Sequence, residues 1–159
     1  MEIAAAPTPV AGADASTCAL VGDGFLQRRL VMDRTHLLDL TRRFVDAFNR
    51  NDLDAVIAFF ADDGIYDEFN GRRNVGRSAI RAAFEPQFNG AYGEMKFLDE
   101  DLFADAEAGK VMTSWRCTLS VKGEPTSWRG LDLLHFRGDK LVQKLTYAKA
   151  KVPLFQNWR

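Results

Sequence analysis

The stretch TSWRGLDLLHFRGDKLVQKLTYAKA, Thr126 to Ala150, decides the fold. It breaks at the polar turn Arg137-Gly138-Asp139 into two runs of alternating side chains, the pattern of a β-hairpin with one buried face. Alternation puts Asp132 on the side of Leu134 and Phe136, so a carboxylate points where a core is expected. Left unpaired there it is costly, so it must meet a cation, hold a proton or line a wet cavity. On the second run the faces read Leu141, Gln143, Leu145, Tyr147 and Val142, Lys144, Thr146, Ala148. The first set packs better, but the pattern leaves open which one faces in.

Upstream of the hairpin, Glu94 to Phe103 and Lys110 to Val121 also alternate, with the short polar turns ADAEAG and KGEP around them. Turns this short join antiparallel neighbours and leave no room for crossover helices. Before these strands the period is helical. From Arg34 to Arg50 a stripe of Leu37, Leu40, Phe44 and Phe48 marks one buried face. Asn51 or Asp52 can cap a second helix that buries Leu53, Val56, Ile57 and Phe60 and ends at Gly64. GIYDEF then reads as a short strand, NGRRNVG as a turn, and Ser78 to Phe84 as a third helix that Pro86 ends or kinks. Helix, helix, strand, helix and then a meander predict an α+β fold, a cone-shaped curved antiparallel sheet with three helices packed on its concave face.

The 159 residues, 47% hydrophobic, suit a single domain with a substantial core. Residues 1–31, rich in Ala, Pro and small polar residues, read as a flexible N-terminal extension, and residues 32–159 as the domain. A secretory signal is disfavoured by the missing basic start and by Pro7, Pro9 and Asp14. Twenty-one basic against twenty-two acidic residues give no basic footprint, so no nucleic-acid partner is expected. No run approaches the length of a membrane span, so no membrane partner is expected either. Cys18 and Cys117 lie far apart in unlike contexts, which suits a reducing, cytoplasmic location. With two histidines and no cluster at ligand spacing, neither a metal nor a cofactor is expected.

Three stretches, FVDAFNRNDLDAVIAFFADDGIYDE (44–68), GRSAIRAAF (76–84) and GLDLLHFRGDKLVQKLTY (130–147), resemble the nuclear transport factor 2-like superfamily, in particular its SnoaL-like (polyketide cyclase-like) and ketosteroid isomerase-like branches. The resemblance covers about residues 34 to 150. It implies a cone with a deep apolar pocket and a homodimer, in a superfamily that holds isomerases, dehydratases, cyclases, epoxide hydrolases and non-catalytic binding modules. It further implies that Glu68 stands at the position of the proton-shuttling acid and Asp132 at that of the acid donating to a substrate oxyanion. The phenol of the first helix falls on Phe44, a departure that removes one oxyanion donor and argues against steroid isomerisation. On the last strand, the face with Lys144 matches the pocket side of the resembled family.

The candidate catalytic residues are therefore Asp132 and Glu68, with Phe44, Tyr66, Trp115, Cys117, Trp128 and Leu134 as substrate-binding walls. Strand parity puts Trp128 with Asp132, provided Gly130 is not a bulge, and Trp115 with Cys117 and Leu119. Glu68 shares its side with Tyr66 and Asn70, whereas Asp67 points the other way. An acid-rich strand end is the plainer role for Glu68, a structural ion pair for Asp132, and core packing for the walls. Arg116 and Arg129 fall on the opposite face from Trp115 and Asp132, which disfavours a hydrolase with an arginine between two acids. His135 falls on that face too, with Leu131 and Leu133, and suits a dimer interface or a plain surface position. Gly71 to Ser78, GRRNVGRS, nearly spells a phosphate loop, but Arg77 replaces the lysine and no parallel α/β framework follows. The expected activity is proton transfer of the isomerase, cyclase or dehydratase type on a hydrophobic carbonyl compound. The alternative is a non-catalytic binding or dimerisation module on the same fold.

Overall fold

The structure is a computed structural model that describes residues 33–151. The expected extension, residues 1–31, and Cys18 within it lie outside the described residues. Three helices, α1 (Arg34–Asn49), α2 (Leu53–Phe59) and α3 (Arg77–Phe88), pack on a six-stranded sheet. Its strands are β1 (Phe60–Asp67), β2 (Arg73–Val75), β3 (Lys96–Asp105), β4 (Lys110–Val121), β5 (Glu124–Arg137) and β6 (Lys140–Ala148), in the order β2-β1-β6-β5-β4-β3. The sheet is curved and unclosed, and the chain is an α+β cone. All junctions are antiparallel except β1 with β6, which is parallel. No described helix is long and apolar enough to cross a membrane.

Helix α1 buries Leu37, Leu40, Phe44, Ala47 and Phe48, one stripe at helical spacing. At its end Asn51 takes a left-handed backbone, φ 56°, which asparagine tolerates, and turns the chain through a tight corner. The Asp52 side chain then accepts from the Ala55 amide at 2.9 Å and caps α2. Helix α2 stops at Phe59, earlier than periodicity suggests, because Phe60 already pairs with Leu141 of β6. Gly64 does not end the helix. It lies in the bulge between Phe60 and Ile65, where a Cβ would meet the Ala61 carbonyl oxygen at 2.9 Å.

Two further local expectations change. The supposed turn NGRRNVG contains β2, whose three residues pair with Ile65 to Asp67. Pro86 sits inside α3, which runs on to Phe88 so that Phe84 and Phe88, one turn apart, both bury. The long strands match expectation to within two residues at each end.

The core between helices and sheet is aromatic. Phe48 meets Phe44 and Phe84 edge to face, each at 5.1 Å between ring centres, and Phe60 and Phe97 extend the cluster. On the sheet side, β4 and β5 pair without a slip from Lys110–His135 to Val121–Glu124, so Gly130 is no bulge and parity carries through it. Gly130 lies opposite Trp115, and a Cβ there would sit 2.6 Å from Trp115 Cζ2. The glycine thus lets the indole lie flat on the strand. Gly130→Ala should lower stability by about 1–3 kcal/mol through overpacking, read as an earlier urea midpoint; an unchanged midpoint would mean that the ring is not pinned.

Candidate active site

Strands β5 and β6 pair in regular antiparallel fashion from Gly130–Ala148 to His135–Gln143, then slip by one residue before Phe136–Leu141. The regular part places Thr146 opposite Asp132 and Lys144 opposite Leu134, so Lys144 and Thr146 face into the cone. Leu145 and Tyr147 face out, and the slip returns Leu141 to the core beside Phe136. One bulge settles the question that alternation left open.

Asp132, 7% exposed, is answered by a cation. Lys144 Nζ, on a residue 6% exposed, donates to its Oδ1 at 2.6 Å. The Thr146 hydroxyl donates to the same oxygen at 2.6 Å and accepts from Lys144 at 2.6 Å, while Trp115 Nε1 donates to Oδ2 at 3.2 Å. Every contact on Asp132 is therefore with a donor, the setting of an ionised carboxylate rather than of an acid that offers its proton. Burial pushes the Lys144 amine below the usual lysine range, against the pull of Asp132. Its Nζ also lies 5.0 Å from the centre of the Tyr66 ring. Burial, and then the charges of Asp132 and Glu68, raise the Tyr66 phenol, with the Thr146 hydroxyl pulling the other way.

Two spaces adjoin here. An inner chamber of about 40 Å³ is walled by Phe44, Phe48, Tyr66, Phe84 and Trp115, with Asp132 and Lys144 at its polar end. An outer groove of about 600 Å³ is lined by Glu68, Phe69, Tyr92, Leu119 and Trp128, and it shares Tyr66, Phe84 and Gln87 with the chamber. The first volume holds little more than a water, whereas the second suits a small organic molecule. Asp99 stands at the chamber rim, its carboxyl raised by partial burial and by Asp46 of α1, with Arg42 opposing.

The expected site residues separate accordingly. Phe44, Tyr66, Trp115 and Asp132 line the chamber, and Glu68 and Trp128 line the groove. The two acids therefore face adjoining spaces with Tyr66 between them. Glu68 is half-buried, and its oxygens accept from Asn74 at 2.8 Å and Asn70 at 3.1 Å. Cys117 and Leu134 line neither space. Both are fully buried: Cys117 stands between the larger Phe97 and Trp128 of the neighbouring strands, and Leu134 joins the aromatic core. Burial raises the Cys117 thiol to about 11, against a contact from Trp128, so it is an inert filler.

Sequence reasoning missed Thr146, Asn74, Gln87 and Asp99, and left Lys144 undecided. The one available signal was that a buried Asp132 demands a cation from a neighbouring strand. Arg116 and Arg129 lie on the outer face, where both bond Glu100, at 3.4 Å and 2.7 Å. In the near-phosphate-loop, Arg77 Nε is tied to the Phe60 carbonyl at 2.9 Å and its guanidinium pairs with Asp62 at 3.2 Å. Among the described residues no three His, Cys, Asp or Glu side chains gather as metal ligands.

Removing one partner of a buried pair strands the other charge. Lys144→Met should cost about 3–5 kcal/mol of stability, and adding Asp132→Leu should restore part of that loss. Urea unfolding checks it; a double variant no more stable than Lys144→Met would count against the pair as drawn.

Residues 41–144 match the SnoaL-like domain family. No curated relative matches the chain. Among solved structures the chain resembles a candidate polyketide cyclase from Xanthomonas campestris pv. campestris, at 24% identity and a TM-score of 0.64 over 72% of this chain and 90% of that one. It also resembles an NTF2-like protein of unknown function from Mesorhizobium loti, at 22% identity and a TM-score of 0.62 over 74% and 95% of the two chains. A third likeness is to SalBIII, an epoxide hydrolase/cyclase-like enzyme in pyran ring formation in the polyether salinomycin, at 15% identity and a TM-score of 0.66 over 74% and 93%. At these identities the structural likeness is one of fold. With its family match extending from mid-α1 to Lys144 itself, the chain belongs to the SnoaL-like domain family, on the NTF2-like fold.

Proposed function

We propose that this domain is a small enzyme that moves a proton on an apolar, carbonyl-bearing molecule, using its own side chains. The observation that carries the reading is the buried Asp132–Lys144 pair in a chamber adjoining an apolar groove of ligand size. The body of the molecule lies in the groove against Trp128 and Leu119, and its carbonyl oxygen reaches the chamber. Lys144, held by Asp132 and Thr146, turns its remaining N–H toward that oxygen and stabilises charge developing there. Asp132 thereby acts through the lysine instead of donating itself. Glu68, oriented by Asn74, takes up and returns the proton from the groove side. Aromatic walls keep water away from the reacting atoms.

A second reading, a binding module without chemistry, draws support from the three donors that occupy Asp132. Deuterium exchange at the carbon next to the carbonyl of a small aryl ketone, followed by NMR, separates the two. Loss of an oxyanion donor typically lowers kcat about 10²–10³-fold, and loss of the base about 10²–10⁴-fold. Lys144→Met and Glu68→Gln should slow exchange to those extents. Folded variants that exchange at the wild-type rate would remove the mechanism, and a ketone bound without exchange would select the binding module.

A homodimer through the outer face of the sheet is the companion proposal. Phe103 and Tyr147 stand more than half exposed there, beside the half-buried Met112, Leu131, Leu133 and Leu145, an apolar surface that a second copy would cover. A cytoplasmic location fits the unpaired, buried Cys117 thiol. Leu133→Glu should turn a dimer into a monomer by light scattering on a sizing column; a wild-type chain that elutes as a monomer at high concentration would end the proposal.

A further inference from the structure

We propose that Lys144 is an imine-forming lysine, whose Nζ captures the carbonyl carbon of a small aldehyde or ketone presented to the chamber from the groove. This rests on the carbonyl reading above and takes it a step further, from a charge that polarises the carbonyl to a covalent bond. Among the described residues lining either space, Lys144 is the only amine. The rival soft nucleophile, Cys117, lines neither.

The surroundings supply what the reaction needs. Asp132 Oδ1, 2.6 Å from Nζ, takes a proton from the ammonium and frees the nitrogen lone pair. That lone pair adds to the carbonyl carbon while the carbon–oxygen π pair moves to oxygen, which receives the proton back. A second proton passes from nitrogen to the same oxygen through the Asp132–Thr146 link, water leaves, and the carbon–nitrogen double bond forms. The sum is ammonium plus carbonyl giving protonated imine plus water, with Asp132 regenerated and no change of oxidation state.

Burial lowers the Lys144 amine below the usual lysine range, against the pull of Asp132, the direction that eases loss of its proton to the neighbouring carboxylate. The charged or titratable groups facing it are Asp132 on β5, Tyr66 on β1 and Asp99 at the rim on β3, with Glu68 beyond Tyr66. None is a cation that would hinder a protonated imine. Such an imine withdraws electrons from the adjacent carbon more strongly than a hydrogen-bonded carbonyl does, which eases proton removal by a base on the groove side.

The full-length wild-type protein is incubated at neutral pH with benzaldehyde and sodium cyanoborohydride, digested, and mapped by mass spectrometry for benzylated lysines. Tryptophan quenching by benzaldehyde alone reports reversible binding through Trp115 and Trp128. The proposal expects quenching, and labelling of Lys144 at least about tenfold above each exposed lysine such as Lys110, Lys122 or Lys149. Quenching without preferential label on Lys144 overturns the imine and leaves the carbonyl reading standing. Neither quenching nor label overturns both. Because the wild-type map decides alone, the outcome does not depend on whether a Lys144 variant folds.

Discussion

The pair formed by Asp132 and Lys144 is the constraint to which the cone is built. Two charges are held away from water between adjacent strands, and such a pair repays its desolvation only when geometry is good and the remaining donors and acceptors are met. Thr146 and Trp115 complete it. This demands that β4, β5 and β6 keep one register across three strands. A slip of one residue on β6 would turn Lys144 outward and leave Asp132 alone in an apolar wall. The bulge at Val142 of β6 is what reconciles this demand with the need to bury Leu141.

The helices answer a different need. Their phenylalanines form the wall opposite the sheet, and edge-to-face contacts lock Phe44, Phe48 and Phe84 into a continuous surface. The polar pair is thereby left facing a narrow, aromatic-walled chamber, where its field is little screened. Tyr66 closes the seam: stacked on Phe84 at 4.6 Å and lying under the Lys144 ammonium, it is the hinge between chamber and groove.

Much of this was legible in the residues. Alternation carried the hairpin and the inward Asp132, helical spacing carried α1, and the short polar turns carried the meander. What escaped was whatever a two-residue period cannot represent. It offers no sign of the one-residue bulge on β6, so Lys144 could not be placed. It stops applying past the end of β1, so Glu68 was placed by extrapolation, and the three-residue β2 that brings Asn74 to it looked like a turn. Cys117 and Leu134 had the right parity, but parity gives the face and not the depth; larger neighbours cover the one and the core absorbs the other. The ionised character of Asp132 was visible only as a demand, since a single chain does not say which of several cations will meet it.

The parallel junction of β1 with β6 joins the first and last strands of the described fold. Everything from Phe60 to Leu141 is enclosed by that one pairing, which makes it the pairing with the longest loop to close. On the ribosome, α1, α2 and β1 emerge long before β6 exists, so the Phe60–Leu141 pairing forms only once β6 has left the exit tunnel. Contacts of such wide sequence separation slow folding and prolong exposure to aggregation.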